Sequence, residues 1–322
     1  MGRADVVIVT NQRATEVDGV IDILRARCMT IKRINLCQYP ERSTFSWNPE
    51  AKSSNDCFLI AKAGWFHNPG LFTIVHSLEG HGRELALNDC DAFWQGAALA
   101  SSLRWLNAPR AMSLSSYKLQ QLSRAHHLGI PAPPTLVSND AKNVSAFFEE
   151  YGGAVAKSLA NGYSVYGDEK LKLYSRFYVK PPEELLAGLI YSPMIFQRRI
   201  PKRREMRVTV VNNQCFGMVA DTANLGVEDV DLRRIDYEAE RHRFTGLPVP
   251  TQVAAASRAL VQSFSLSYAG LDWVEDEHGQ WLFLELNCMG AFKWSELCGA
   301  GDITTAIADS LGQMALSNEH GD

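Results

Sequence analysis

Residues Gly270–Gly290 read GLDWVEDEHGQWLFLELNCMG, two apolar runs on either side of a Glu-Asp-Glu-His-Gly turn. Aromatic and β-branched runs bounded by turn residues predict an antiparallel hairpin, with strands over Tyr268–Glu275 and Trp281–Asn287. A strand period of two sets Glu285 and Asn287 on one face with Leu286 turned away, and the antiparallel return brings Asp272 alongside. Two carboxylates and an amide oxygen are hard ligands, suited to a Mg²⁺ ion that also holds phosphate. An ordinary amphipathic hairpin with a solvated polar face shows the same pattern, so on this feature alone both readings stand.

Cations and polar groups elsewhere offer partners for such a site. Lys118 falls in the first turn of a helix expected after Ser115 or Ser116 and ended by Gly129. Lys157 closes the apolar strand Ala-Val-Ala-Lys, where an ammonium beside turn residues can reach a phosphate as a point charge. Either lysine could equally be a solvated surface group. Gln197 ends the strand Met-Ile-Phe-Gln, and the extended chain after it can offer backbone groups to a base edge. From Arg198 to Arg207 the basic residues are Arg198, Arg199, Lys202, Arg203, Arg204 and Arg207, with Glu205 the acid among them. Strand alternation sets Glu205 and Arg207 on one face.

The order of elements predicts the architecture. Strands over Asp5–Gln12, Met29–Leu36 and Asp56–Ala61, with a helix over Asp18–Arg27, make a parallel α/β opening domain. A helix over Asn88–Leu106 follows, and the Asn-Ala-Pro-Arg break at 107–110 marks a boundary. Strands over Gly152–Ser158, Lys172–Val179, Met194–Arg199, Met206–Asn212 and Cys215–Asp221 come next, with helices after Pro181, over Val249–Leu266 and over Asp302–Leu316. A chain of 322 residues is long enough for two domains, at about 150 residues each.

Composition removes several classes. At 46% hydrophobic and 21% charged the chain is globular, not fibrous or wholly disordered. A net charge of -4 argues against a nucleic-acid footprint, no apolar run reaches membrane-spanning length, and the opening Met-Gly-Arg-Ala-Asp-Val fits neither a signal peptide nor myristoylation. An odd count of seven cysteines, without C-x-x-C spacing, fits reduced thiols in a cytoplasmic protein. No Ser-His-Asp or Cys-His signature accompanies the candidate residues.

The sequence of signals resembles the ATP-grasp superfamily: helix-borne lysine, Gly-Ile-Pro-Ala-Pro-Pro-Thr, strand-end lysine, Gln with Glu-Met-Arg, then Asp and Glu-Leu-Asn. Within it, Ser192–Val211 and the Val-Asp-Leu-Arg-Arg-Ile-Asp-Tyr stretch around Asp231 look most like the graspetide (microviridin-type) peptide macrocyclase ligases. The resemblance implies an α/β and α+β fold: a pre-grasp domain over 1–110, a central ATP-grasp subdomain over 111–190 that docks a leader peptide, and a C-terminal subdomain over 191–322 with the metal site. It implies ATP and Mg²⁺, with Lys118 and Lys157 at the phosphates and Gln197, Arg198, Arg199 and Ile200 framing adenine. Arg207 is then the catalytic arginine, Asp272, Glu285 and Asn287 the metal ligands, and Asp231, Arg233, Arg203 and Arg204 the substrate contacts. Arg198 stands where relatives often carry an acid, and Cys288-Met-Gly290 replaces their Pro-x-Gly.

The implied reaction activates Asp or Glu side chains of a precursor peptide as acyl phosphates and joins them to Thr, Ser or Lys. The implied partners are that peptide, with a leader and an acidic core, and a second copy of the chain, with no nucleic acid and no membrane. A ligase for a free amino acid or small metabolite, and a non-catalytic nucleotide-binding module, are the rival readings.

Overall fold

The computed structural model describes residues 4–48, 61–70, 72, 78–160, 163–166, 169–222 and 241–317, with the backbone alone for 163–166, 169–172 and 241. The N-terminal layer is a parallel sheet of β1 (Ala4–Thr10), β2 (Ile31–Asn35), β3 (Ala61–Phe66) and β4 (Arg104–Trp105), in the order β2-β1-β3-β4. Helix α1 (Glu16–Ala26) makes the crossover from β1 to β2, and α2 (Gly80–Ala100) the one from β3 to β4. Parallel strands with helical crossovers bury both faces, which is why Val6, Val7, Ile8 and Val9 are all fully buried with no polar alternation.

Three sequence expectations change here. The helix expected over Asn88–Leu106 begins earlier and stops at Ala100, where Ser101 turns back to accept from Trp105 Nε1 at 3.0 Å. Arg104–Trp105 is then free to pair with β3, and the Trp105 ring lies across Gly64, where a Cβ would sit 2.7 Å from it. The proline at 109 does not end a helix but begins one, α3 (Pro109–Ser116), in the first-turn position where its missing N–H costs nothing. The strand expected over Asp56–Ala61 falls mostly outside the described residues, and the third strand is Ala61–Phe66.

Beyond α3 come α4 (Lys118–His127), β5 (Thr135–Ser138), α5 (Ala141–Tyr151), β6 (Ala154–Lys157), β7 (Tyr163–Tyr166), β8 (Glu169–Lys172), β9 (Arg176–Tyr178), α6 (Glu183–Gly188) and β10 (Met194–Gln197). They build a central antiparallel sheet in the order β5-β10-β6-β9, with β7 and β8 paired separately. α5, capped by Asp140 accepting from Lys142 N and closed by left-handed Gly152, packs Val144, Phe147 and Phe148 on this sheet beside Phe196. Strand pairing thus groups Met194–Gln197 with the central unit, beyond residue 190.

The C-terminal sheet, β13-β12-β11-β14-β15, consists of β11 (Lys202–Val211), β12 (Gln214–Asp221), β13 (Phe244–Gly246), β14 (Tyr268–Asp276) and β15 (Trp281–Asn287). Helix α7 (Thr251–Ser263) covers one face through Val253, Leu260 and Val261, which meet Met206, Val208 and Val210. A short helix α8 (Lys293–Leu297) leads to α9 (Ile303–Leu316). α9 returns to the N-terminal sheet, and Ile303, Ile307 and Leu311 pack with Val20, Leu24 and Trp65. First and last segments therefore share one core.

Candidate active site

The floor of the site is the hairpin of β14 and β15. Its register sets Asp272 directly opposite Glu285 and Gly270 opposite Asn287, with an irregularity after Asp272. β11 lies on the other side of β14, and Arg207 is the register partner of Asp272. Arg207 Nε meets Asp272 Oδ1 at 3.0 Å. The guanidinium passes between two glycines: a Cβ on Gly270 would sit 2.6 Å from Nη1, and one on Gly290 3.3 Å away. Nη1 is buried and has no hydrogen-bond partner among the described residues. A buried guanidinium nitrogen left so is costly, and an anion in the site would satisfy it.

The wall is α4. Lys118 is its first residue, and Tyr117, not Ser115 or Ser116, holds the position before it. Lys118 Nζ donates to the Ser158 carbonyl at 3.2 Å, so it reaches the residue next to Lys157. The depth of this wall is set by Gln121, three residues on and 3% exposed. Its Nε2 donates to the carbonyls of Ser115 and Leu286, at 2.6 and 2.8 Å, and its Oε1 accepts from Leu286 N at 2.9 Å. One amide thereby fixes Lys118 relative to Glu285 and Asn287, which flank Leu286. The spacing of three from Lys118 signals a shared helix face, but only the fold reveals a partner 165 residues away.

The opposite wall is the central sheet. Lys157 Nζ donates to Gln197 Oε1 at 2.6 Å, and Gln197 Nε2 donates to Thr135 Oγ1 at 3.0 Å. Gln197 is buried, so its amide acts as a fixed strut. Arg198 N donates to the Pro134 carbonyl at 2.9 Å, while the Arg198 and Arg199 guanidinium groups lie over the Tyr151 and Phe177 rings at 5.8 and 5.2 Å. Both side chains are thus directed onto aromatic surfaces, and Ile200 is part of the short extended link to β11.

These walls enclose a cavity of about 330 Å³ lined by Lys118, Lys157, Ser158, Glu285, Asn287 and Met289, among others. Asp272 and Arg207 stand behind Glu285 in the sheet. Arg204 is turned away from this face: it makes a two-pronged pair with the buried Glu275, at 2.7 and 3.1 Å. That contact raises the Arg204 pKa and leaves Arg203 as the exposed arginine of the pair. Asp231 and Arg233 lie outside the described residues, as do 161–162 and 167–168 in the loop after Ser158. Three oxygen donors on the floor, two ammonium groups on the walls and an unsatisfied guanidinium nitrogen fit a magnesium-bound polyphosphate.

No family model matches the sequence, and no curated protein matches it. Solved structures do. A RiPP-associated ATP-grasp ligase from Chryseobacterium gregarium, in complex with ADP and a leader and core peptide, superposes with a TM-score of 0.83 at 20% identity, covering 96% of each chain. The macrocyclase MdnC of Microcystis aeruginosa, bound with its precursor peptide MdnA, gives 0.81 at 25% identity, covering 96% of this chain and 99% of its own. The chain has the ATP-grasp fold. The likeness is graded: the D-cycloserine synthetase DcsG gives a TM-score of only 0.58 at 15% identity, over 95% of this chain and 99% of that one. Among the described residues, no helix is long and apolar enough to cross a membrane.

Proposed function

We propose that this protein is an ATP-dependent carboxylate ligase that works on a ribosomally made precursor peptide. It activates Asp or Glu side chains as acyl phosphates and links them to Thr or Ser as esters, or to Lys as amides, releasing ADP and phosphate. The observation that carries this reading is the convergence of Lys118, Lys157, Glu285 and Asn287 on one cavity of an ATP-grasp fold. The reach of that fold over nearly the whole length of a ligase described with ADP and peptide, and of a macrocyclase described with its precursor peptide, supports the peptide as substrate.

The chemistry follows from charge. A carboxylate is a weak electrophile because its leaving group would be oxide or hydroxide; once it is an acyl phosphate, attack at the acyl carbon expels phosphate, which leaves readily. Magnesium, held by Asp272, Glu285 and Asn287, would neutralise charge as the phosphoryl group moves. Lys118 and Lys157 hold the phosphates, Lys157 aimed by Gln197. The chain at Arg198, Arg199 and Ile200 frames adenine through its backbone. Arg207 brings its guanidinium to the reacting carboxylate or the transferred phosphoryl group. Asp231, Arg233 and Arg203 approach the peptide, whose acidic core complements the basic stretch. In this reading residues 1–110 form the pre-grasp domain, 111–190 together with β10 (Met194–Gln197) the central subdomain that takes the leader, and the chain from there to 322 the metal-bearing subdomain, and the enzyme works as a homodimer in the cytoplasm.

The test is direct. The protein is incubated with ATP, Mg²⁺ and a short peptide that carries Asp or Glu together with Thr, Ser or Lys. Mass spectrometry should show loss of one water per link, matched by ADP, and mild alkali should reopen esters but not amides. ADP release with free amino acids and none with any peptide would favour a small-molecule ligase, the reading to which the weaker likeness to DcsG belongs.

A further inference from the structure

Behind the site lies a buried acid–base pair that the reaction does not use. His67, just after β3, is fully buried, and its Nε2 donates to Glu16 Oε1 at 2.6 Å. Its ring stacks on Trp65 at 4.5 Å and meets Tyr268 and Phe292 at 5.8 and 6.0 Å. Glu16 opens α1. Its Oε1 also accepts from Asn68 Nδ2 at 3.0 Å, and its Oε2 accepts from Phe292 N at 3.1 Å and Lys293 N at 3.5 Å. Burial opposes charge on Glu16, but the hydrogen bond and charge of His67 and the two backbone donors outweigh it and hold the carboxyl below its usual range. A carboxylate is therefore fixed inside the N-terminal domain, facing backbone of the C-terminal one.

That backbone is the continuation of the metal-bearing strand. Asn287 Oδ1 accepts from Met289 N at 2.9 Å, and Gly290 N donates to the Asn287 carbonyl at 3.2 Å, so residues 287–290 are one turn. The turn is held at three further points. Asn107 Nδ2 donates to the Cys288 carbonyl at 3.1 Å, the Tyr268 hydroxyl donates to the Gly290 carbonyl, and Glu16 takes the amides that follow. Gly290 in turn borders Arg207 Nη1. A displacement of this turn moves Asn287 and opens the slot that confines Arg207. With Cys288 where a proline would stiffen the chain, rigidity has to come from outside the turn.

We infer that the Glu16–His67 pair is a positioning device: it braces the Asn287–Gly290 turn from the N-terminal domain and thereby sets how strongly magnesium strengthens nucleotide binding. Outer partners that orient a ligand commonly matter this much to a metal site. The inference rests on the ligase reading and adds residues to it that touch neither nucleotide nor peptide.

The experiment measures ADP affinity by calorimetry with Mg²⁺ and with EDTA, for the wild type and for Glu16→Gln, His67→Gln and Glu285→Gln. Glu16→Gln is nearly isosteric but lacks the charge that gathers the two amides. It should lose about tenfold of the Mg²⁺-dependent gain, in line with the loss seen for outer partners of metal ligands, while affinity in EDTA stays at the wild-type value. Circular dichroism establishes folding; if Glu16→Gln does not fold, His67→Gln is read by the same criterion. A purely structural role would weaken both affinities together, and that result, or an unchanged Mg²⁺ gain, overturns the inference while leaving the ligase reading intact, provided Glu285→Gln abolishes the gain. A wild type whose ADP affinity ignores Mg²⁺ overturns the ligase reading and the inference with it.

Discussion

The Lys157 ammonium sits 2.6 Å from the side-chain oxygen of Gln197, on the adjacent antiparallel strand. The two are diagonal neighbours, since Lys157 pairs with Ile195 and Gln197 with Val155, and a long side chain spans that offset. The amide of Gln197 is itself held by Thr135, whose hydroxyl donates to the Pro133 carbonyl at 2.8 Å. The chain of contacts aims a flexible lysine into the cavity before any phosphate arrives.

Replacing Gln197 with Met keeps the volume and removes that aim. ADP affinity should fall about tenfold to a hundredfold, the worth of one hydrogen bond to a charged group, with little change in melting temperature. Titration calorimetry measures both the affinity and, through its enthalpy, the lost contact. Wild-type affinity in Gln197→Met would show that Lys157 finds its place without the strut.

Gly270 is the residue that lets Arg207 reach the site. An alanine there places its Cβ 2.6 Å from Nη1, so the guanidinium must move although the fold need not. Misplacement by about 1 Å commonly costs about a hundredfold in turnover. Gly270→Ala should therefore lose roughly that factor in kcat while ADP binding stays within about twofold, because Arg207 is not one of the phosphate-holding lysines. A parallel fall in both would place Arg207 in ground-state binding instead.

The floor of the site was legible in the sequence because a hairpin's geometry is local. Period-two alternation and a short turn suffice to predict that Asp272, Glu285 and Asn287 share one neighbourhood, and the register has Asp272 facing Glu285. Lys118 and Lys157 were visible by their positions at a helix start and a strand end. What fastens them was not. Gln121, Asn107, Glu16 and His67 act on partners far away in the chain, and before folding each is an ordinary polar residue. Arg204 shows the reverse error: a basic run suggests one patch, but strand alternation gives its members different faces, and Arg204 is drawn to Glu275 on the next strand. The helix end at Ala100 was hidden because the apolar pattern continues through Leu103 and Leu106, which flank β4 and are buried in two separate clusters of the core.

Asp5 should leave a signature in acid. Hydrogen bonds from Lys62 and from the backbone of Thr30, together with the charge of Lys62, lower its pKa from 3.8 to about 2 against a smaller opposing effect of burial. Because the folded value lies below the unfolded one, the stabilisation is complete above about pH 4 and disappears as pH falls through the folded value. Asp5→Asn should therefore melt below the wild type at pH 6 and converge with it near pH 2. Thermal melts across that range test this, and a gap that persists at pH 2 would assign the difference to packing rather than to the carboxylate.

The two central arginines of the basic stretch should separate cleanly under charge reversal. Arg204 covers Glu275, whose side chain is only 7% exposed, and also lies over the Trp281 ring at 5.8 Å. Arg204→Glu would set two carboxylates together in a half-buried place, at a cost on the order of 1–3 kcal/mol for the group left unpaired. A lower melting temperature is the expected result, with peptide binding impaired only as far as folding is. Arg203 is exposed and makes no comparable pair among the described residues, so Arg203→Glu should leave melting unchanged. Its effect should fall on an acidic peptide, as a weaker affinity that shrinks with added salt, since an exposed charge is screened over about 10 Å at 0.1 M. Fluorescence anisotropy of a labelled acidic peptide at two salt concentrations distinguishes the cases. Equal peptide affinity for Arg203→Glu and the wild type at low salt would remove Arg203 from the substrate path.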